Sequence, residues 1–177
     1  MGGSDEPKVE GDELLCSGRR IKLYRRIVVI GEERIDRDLV SFGNSVVILP
    51  LLDDGRAIFL KQWRAPVDAW ILELPAGRVE DGESLIETAS RELEEETGYK
   101  AGIIERIASA YVAPGYSDEV IHLFVARELI RGNLRPERGE FLKIVLMKPE
   151  DYLSDSNSIK DLKTLASVLL YLSSLLD

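Results

Sequence analysis

The stretch from Trp70 to Gly98, WILELPAGRVEDGESLIETASRELEEETG, most constrains what this chain can fold into. It passes from an apolar, strand-like run into a glycine-punctuated loop and then, from about Ser84, into helical periodicity. Gly98 ends that helix well, because glycine tolerates the left-handed conformation that follows a last turn. Around this one central helix the chain reads mostly as strand. IKLYRRIVVI and ERIDRDLVSF flank a Gly-Glu-Glu turn and predict a hairpin. SVVILPLL and RAIFLKQW flank Asp-Asp-Gly and predict a second. Further strands are expected at IIERIASAY, EVIHLFVAR and FLKIVLM, then an amphipathic helix from about Ile159 to Leu176. Its Leu162, Leu165, Leu169, Leu172 and Leu176 recur at core spacing and are expected to pack. Many strands with one central and one terminal helix predict an α+β class, with helices packed on a mixed β-sheet rather than a doubly wound parallel one.

With 177 residues at 45% hydrophobic composition, one compact domain with a small appendage is expected. Residues 1–12 read as a mobile acidic tail, 13–42 as an N-terminal antiparallel β-hairpin subdomain, and 43–177 as the main domain. The start is acidic where a signal peptide is basic then apolar, and the apolar run near the end is shorter than the ~20 residues a helical span needs, so an intracellular, cytoplasmic protein is expected. A formal charge of −9 argues against nucleic acid or an anionic membrane as partner. An anionic substrate then needs a local remedy in metal ions or placed arginines. One cysteine and one histidine exclude a disulfide framework and the usual zinc sites, so any metal is held by oxygen.

The glutamates of the central helix divide by direction. At ~100° per residue from Leu85, Ala89 falls near 40°, Leu93 near 80° and Ile86 near 100°, an apolar stripe. Glu87 and Glu94 point to ~180–200°, towards solvent, whereas Glu92, Glu95 and Glu96 fall between ~−80° and +20°, on the edge of that stripe. Carboxylates gathered there repel one another unless a cation is present, and hard divalent cations favour oxygen donors. Arg91 lies one turn before Glu95 and can hold its carboxylate.

Gly77 is followed after five residues by Glu83, and after seven more by Arg91-Glu92-Leu93, one residue, Glu95-Glu96, one residue and Gly98. This resembles the Nudix box of the Nudix hydrolases, with only Tyr99 departing from the aliphatic residue that usually closes it. The resemblance implies a Nudix α/β/α sandwich and a Mg²⁺ cofactor, with Mn²⁺ as a substitute. It assigns Glu92 and Glu96 as metal ligands, Glu95 to metal or water, the Ala76 carbonyl to the coordination shell, and Arg91 with Glu83 as an orienting pair.

Outside the box, Pro114 stands sixteen residues past Gly98 in APGYSDE, which resembles the proline loop of the family's ADP-ribose pyrophosphatases. There a downstream acid, Glu119 here, contacts the terminal ribose. KQWRAP resembles the strand end that brings an arginine, Arg64, to phosphate or ribose. The expected substrate is therefore a nucleoside diphosphate sugar, ADP-ribose first. Nucleoside triphosphates, dinucleoside polyphosphates and a non-catalytic nucleotide sensor are the alternatives. RPERGEFLKIV departs from the acidic loop common in relatives: Glu140 aligns as a further metal ligand and Arg138 falls near a common catalytic glutamate, which leaves the general base among Glu137, Glu140 and Glu95. The resemblance also implies a homodimer that exchanges N-terminal strands, in which Arg37 is expected either to reach the partner's nucleotide or to pair at the surface with Asp36 or Asp38. His122 reads as a strand histidine, Cys16 as inert, and Trp63 and Trp70 as packing residues.

Overall fold

The computed structural model describes residues 6–135, 141–154 and 158–176. Its strands are β1 (Lys8–Ser17), β2 (Lys22–Ile30), β3 (Glu33–Ser41), β4 (Asn44–Pro50), β5 (Ala57–Arg64), β6 (Ala69–Glu73), β7 (Ala76–Arg78), β8 (Tyr99–Tyr111), β9 (Val120–Arg131) and β10 (Leu142–Met147). Its helices are α1 (Leu85–Thr97), α2 (Pro149–Ser154) and α3 (Leu162–Ser173). Three sheets form, with strand orders β1-β2-β3, β10-β5-β6 and β7-β4-β9-β8. The chain divides into two compact units, one made of the residues up to Asn44 with Tyr111–Val120, the other of the remainder.

In the first unit the expected hairpin is present as β2 and β3, turning at Gly31 with φ 60°. A third strand joins it. Lys8 to Asp12, assigned to the tail for their acidity, pair with β2, where Asp12 meets the Arg26 guanidinium through two hydrogen bonds of 2.8 Å. An acidic strand opposite a basic one gains from cross-strand charge pairs, which composition alone does not reveal.

In the second unit Val46 and Ile48 of β4, Phe124 and Ala126 of β9, and Ala89 and Leu93 of α1 form one buried cluster, so α1 lies on the four-stranded sheet. On the three-stranded sheet Phe59 of β5 stacks with Tyr152 of α2, ring centroids 5.4 Å apart, and the Leu74 amide donates to Thr164 Oγ1 at the start of α3. Helices thus pack on both sheets, as the α/β/α expectation requires.

Two expectations need correction. Asp53-Asp54-Gly55 does turn the chain, with Gly55 at φ 82°, but β4 and β5 enter different sheets and meet only at the Leu51–Ala57 bridge. β4 already has β7 and β9 on its two edges, and Pro50 at its end has no N–H to extend a ladder. The leucine stripe of α3 is not its core face either: Leu162 is 65% exposed, while Thr164, Ser167 and Val168 are buried. That helix is oriented by polar anchors at its first turn, which override the apolar periodicity. Among the described residues, no helix is long and apolar enough to cross a membrane.

Candidate active site

The helix α1 starts where its sequence says it should. Ser84 accepts from the Glu87 amide while Glu87 Oε2 accepts from the Ser84 amide at 2.8 Å, a reciprocal capping box. Gly98, at φ 71°, closes the other end by donating to the Glu94 carbonyl. Glu87, expected to be an ordinary solvent charge, is therefore a cap. Ile86, expected on the core stripe, is exposed; it stands in the first turn, where side chains lean past the helix start. Glu94 faces away from the other acids, 3.5 Å from Lys100, and accepts from the Asn133 amide.

The remaining acids gather around Arg91. Its Nε and Nη2 donate to the two oxygens of Glu83 at 2.8 and 3.0 Å, and its Nη1 donates to Glu92 at 2.8 Å and Glu95 at 3.2 Å. Its Nη2 also reaches the Arg78 carbonyl at 3.3 Å. The Arg91 guanidinium, with help from the Thr88 hydroxyl, holds the Glu83 carboxyl at a pKa of about 2, far below its usual range. In return, Glu83 foremost, then Glu92 and Glu95, push the arginine further up.

β7 supplies the opposite wall. Glu96 is almost wholly buried and its Oε2 accepts from the Ala76 amide at 3.0 Å. Gly77 lets Glu92 come close: a methyl group on Gly77 would lie 1.8 Å from Glu92 Oε1. Strand and helix thus meet at two carboxylates one helical turn apart, Glu96 by a hydrogen bond and Glu92 by close approach. Among the described residues, no three Asp, Glu, His or Cys side chains stand as a ready metal cluster. The chemistry of the set nevertheless fits a hard divalent cation, since every donor on offer is a carboxylate or backbone oxygen and Gly77 leaves room for the Glu92 carboxylate. Glu137 and Glu140, with Arg138, lie outside the described residues.

Arg64, the last residue of β5, forks onto Glu73 through two hydrogen bonds of 2.8 Å. That pairing foremost, with the charges of Glu96 and Asp161 adding to it, holds the guanidinium firmly protonated. Arg64 is thereby brought within electrostatic reach of the box.

Pro114, Glu119 and Arg37 belong to the first unit. Pro114 sits in a turn where Tyr116 and Ser117 both donate to the Ala113 carbonyl; the Glu119 amide donates to Ser117 Oγ, and Arg37 donates to the Asp36 carbonyl. Sequence reasoning passed over Asp118. Burial pushes its carboxyl up, but the Phe42 and Gly43 amides and the Ser41 hydroxyl outweigh burial and hold it below the usual range. It ties the proline loop to residues 41–43. Its partners lie more than seventy positions upstream, so no local pattern marks it.

His122 is buried beside Ser109, whose Oγ lies 2.8 Å from Nδ1; burial first, then the Arg106 charge, pushes its pKa down. Trp63 and Trp70 face one another across β5 and β6 and are substantially exposed, so they do not pack in the core.

A family model described as NUDIX domain matches residues 41–168. The chain belongs to the Nudix family. Among its Nudix relatives is the ADP-ribose pyrophosphatase of Bacillus subtilis (strain 168), 37% identical over 164 residues, covering 90% of this chain and 89% of that protein. A second is the methanol dehydrogenase activator of Bacillus methanolicus, 33% identical over 174 residues, covering 95% and 94%. A crystal structure of an ADP compounds hydrolase superimposes with a TM-score of 0.84 at 21% identity, covering 96% of this chain and 94% of that one, which shows the shared fold. By this family match and these relatives, the chain is a Nudix pyrophosphohydrolase.

Proposed function

We propose that this Nudix enzyme hydrolyses the pyrophosphate bond of ADP-ribose, or of a close nucleotide sugar, to AMP and ribose 5-phosphate. The observation that carries the proposal is the complete acid set held on one edge by Arg91, Ala76 and Gly77. Likeness over nearly the whole chain to a protein named ADP-ribose pyrophosphatase supports the choice of substrate. Glu92 and Glu96, with the Ala76 carbonyl and with Glu95 or Glu140, would hold Mg²⁺, which when bound would neutralise the pyrophosphate and lower the pKa of the attacking water.

The chain's own residues do the rest. Arg91 and Glu83 fix the direction of Glu92 and Glu95. Glu95, the most exposed carboxylate touching Arg91, is placed to orient the water or take its proton, with Glu137 and Glu140 as the other candidates for that base. Arg64 meets phosphate or ribose, and Glu119 with the Pro114 loop meets the distal ribose. Residues 43–177 form the catalytic domain of a cytoplasmic enzyme. Residues 13–42 pair two copies into a homodimer that brings Arg37 to the partner's nucleotide.

A panel of nucleotide sugars, nucleoside triphosphates and dinucleoside polyphosphates with Mg²⁺, products separated and identified, tests this. ADP-ribose should give AMP and ribose 5-phosphate, and Glu119→Ala should raise KM more than it lowers kcat. Faster turnover of ATP or a dinucleoside polyphosphate would refute the substrate. The likeness to a dehydrogenase activator favours a second reading, action through a partner enzyme, which absence of turnover across the panel would bring forward.

A further inference from the structure

Arg64 is held by Glu73, and Glu73 in turn by a residue from the far end of the chain. Its partner Glu73 is only 3% exposed, and a second cation stands over it: Lys163 Nζ is 3.6 Å from Glu73 Oε2. Lys163 belongs to the first turn of α3 and is itself 2.6 Å from Asp161, the helix N-cap. The other Asp161 oxygen accepts from the Thr164 amide at 2.9 Å and the Thr164 hydroxyl at 2.8 Å. Thr164 Oγ1 in turn accepts from the buried Leu74 amide at 2.8 Å. The first turn of α3 therefore grips two consecutive residues, Glu73 by its side chain and Leu74 by its backbone. Pro75 and Ala76 follow at once, and the Ala76 amide holds Glu96.

The charges explain what this grip is for. Arg64, Glu73, Lys163 and Asp161 together are neutral, and they lie beside the negative box. Without Lys163 the set becomes net negative. The fork of Arg64 is then cancelled by Glu73 and outvoted by Asp161 and Glu96, so little of its field reaches an incoming diphosphate, the more so in a partly desolvated place where charges act strongly. Arg64 keeps a third of its side chain exposed and so can be reached.

We propose that Lys163 is a positioning residue for substrate binding: acting through Glu73, it fixes the Arg64 guanidinium and frees its charge for the anionic part of a nucleoside diphosphate sugar. This rests on the reading of Arg64 as a substrate contact given above. The test is a cycle of Lys163→Met, Arg64→Ala and the double variant, with Lys163→Arg as the conservative control. KM and kcat for ADP-ribose are measured with Mg²⁺, and the Kd for ADP-ribose is measured by calorimetry in a chelator, where no turnover occurs.

Lys163→Met should raise KM and Kd about tenfold, the scale of one lost charged hydrogen bond, with kcat within about twofold. Lys163→Arg should restore both, and Lys163→Met should add nothing in the Arg64→Ala background. An unchanged KM in Lys163→Met beside a raised KM in Arg64→Ala overturns the proposal. An equal effect of Lys163→Met with and without Arg64 overturns it too, because the lysine then acts by another route. A wild-type KM in Arg64→Ala instead overturns the reading of Arg64 on which the proposal stands. Should Lys163→Met melt early, Lys163→Gln, which keeps a donor towards Asp161 but loses the charge, gives the same decision.

Discussion

Replacing Gly77 by alanine should remove activity and spare the fold. The added methyl carbon would sit 1.8 Å from Glu92 Oε1, 2.0 Å from its Cδ and 2.6 Å from Oε2. Ordinary van der Waals contact begins near 3.4 Å, so the carboxylate must retreat by about 1.6 Å. What meets the methyl is the far end of a flexible side chain, not backbone, and the retreat is therefore cheap for stability. It sacrifices the 2.8 Å contact of Glu92 with Arg91, a partly exposed pair worth at most about 1 kcal/mol. The melting temperature should fall by no more than about 2–4 °C. Catalysis is less forgiving, because a ~1 Å misplacement in a reacting constellation costs about 10²-fold, or ~2.7 kcal/mol on the barrier. Initial rates on ADP-ribose with Mg²⁺, beside thermal melts, measure both. Gly11→Ala is the control, since nothing lies within 4 Å of the methyl it would add. Wild-type kcat/KM in Gly77→Ala would show that Glu92 need not stand where the strand end puts it.

Glu92→Gln and Glu96→Gln should each lower kcat by about 10²-fold or more at saturating Mg²⁺, because a charged oxygen donor is lost, while Glu94→Gln should be nearly silent in the same rate assay. Acid should dissolve the Glu83–Arg91 pair: the Glu83 pKa is lowered from 4.5 to about 2, so its contribution to stability is complete above about pH 4.5 and lost as pH falls through about 2. The melting-temperature gap between wild type and Glu83→Gln, followed from pH 7 to pH 2, should close over that window; a constant gap would contradict it. Sedimentation should report about twice 19.8 kDa, and deleting residues 1–42 should lose both the dimer and ADP-ribose affinity. A fully active monomer at micromolar concentration would remove Arg37 from the site.

Some of this structure was legible residue by residue, and the boundary follows a physical line. Ser84 with Glu87 and then Gly98 mark both ends of α1 because caps are local: each needs only neighbours within a turn. The direction of Glu92, Glu95 and Glu96 follows from helical geometry, and Arg91 reaches Glu95 across a single turn. The Asp-Asp-Gly segment was legible as a turn, but which sheet receives β5 depends on whether β4 has a free edge, and β7 and β9 decide that from far along the chain. The leucines of α3 mislead for the same reason. Thr164 and Asp161 fix the rotation of that helix through the backbone of Leu74, ninety residues earlier, and no local pattern encodes it. Asp118 escaped notice because its partners are three backbone and hydroxyl groups more than seventy positions upstream.

Among the described residues Arg91 makes five hydrogen bonds, as many as a guanidinium has N–H groups. The acidic edge therefore carries its own counter-charge from the moment the helix docks. Many small metal sites are empty frames that collapse until the ion arrives, so that folding and loading are one event. Here the guanidinium of Arg91 already opposes the charge of Glu83, Glu92 and Glu95, so three of the carboxylates are held in register by the chain itself, and an ion has less of the frame to build.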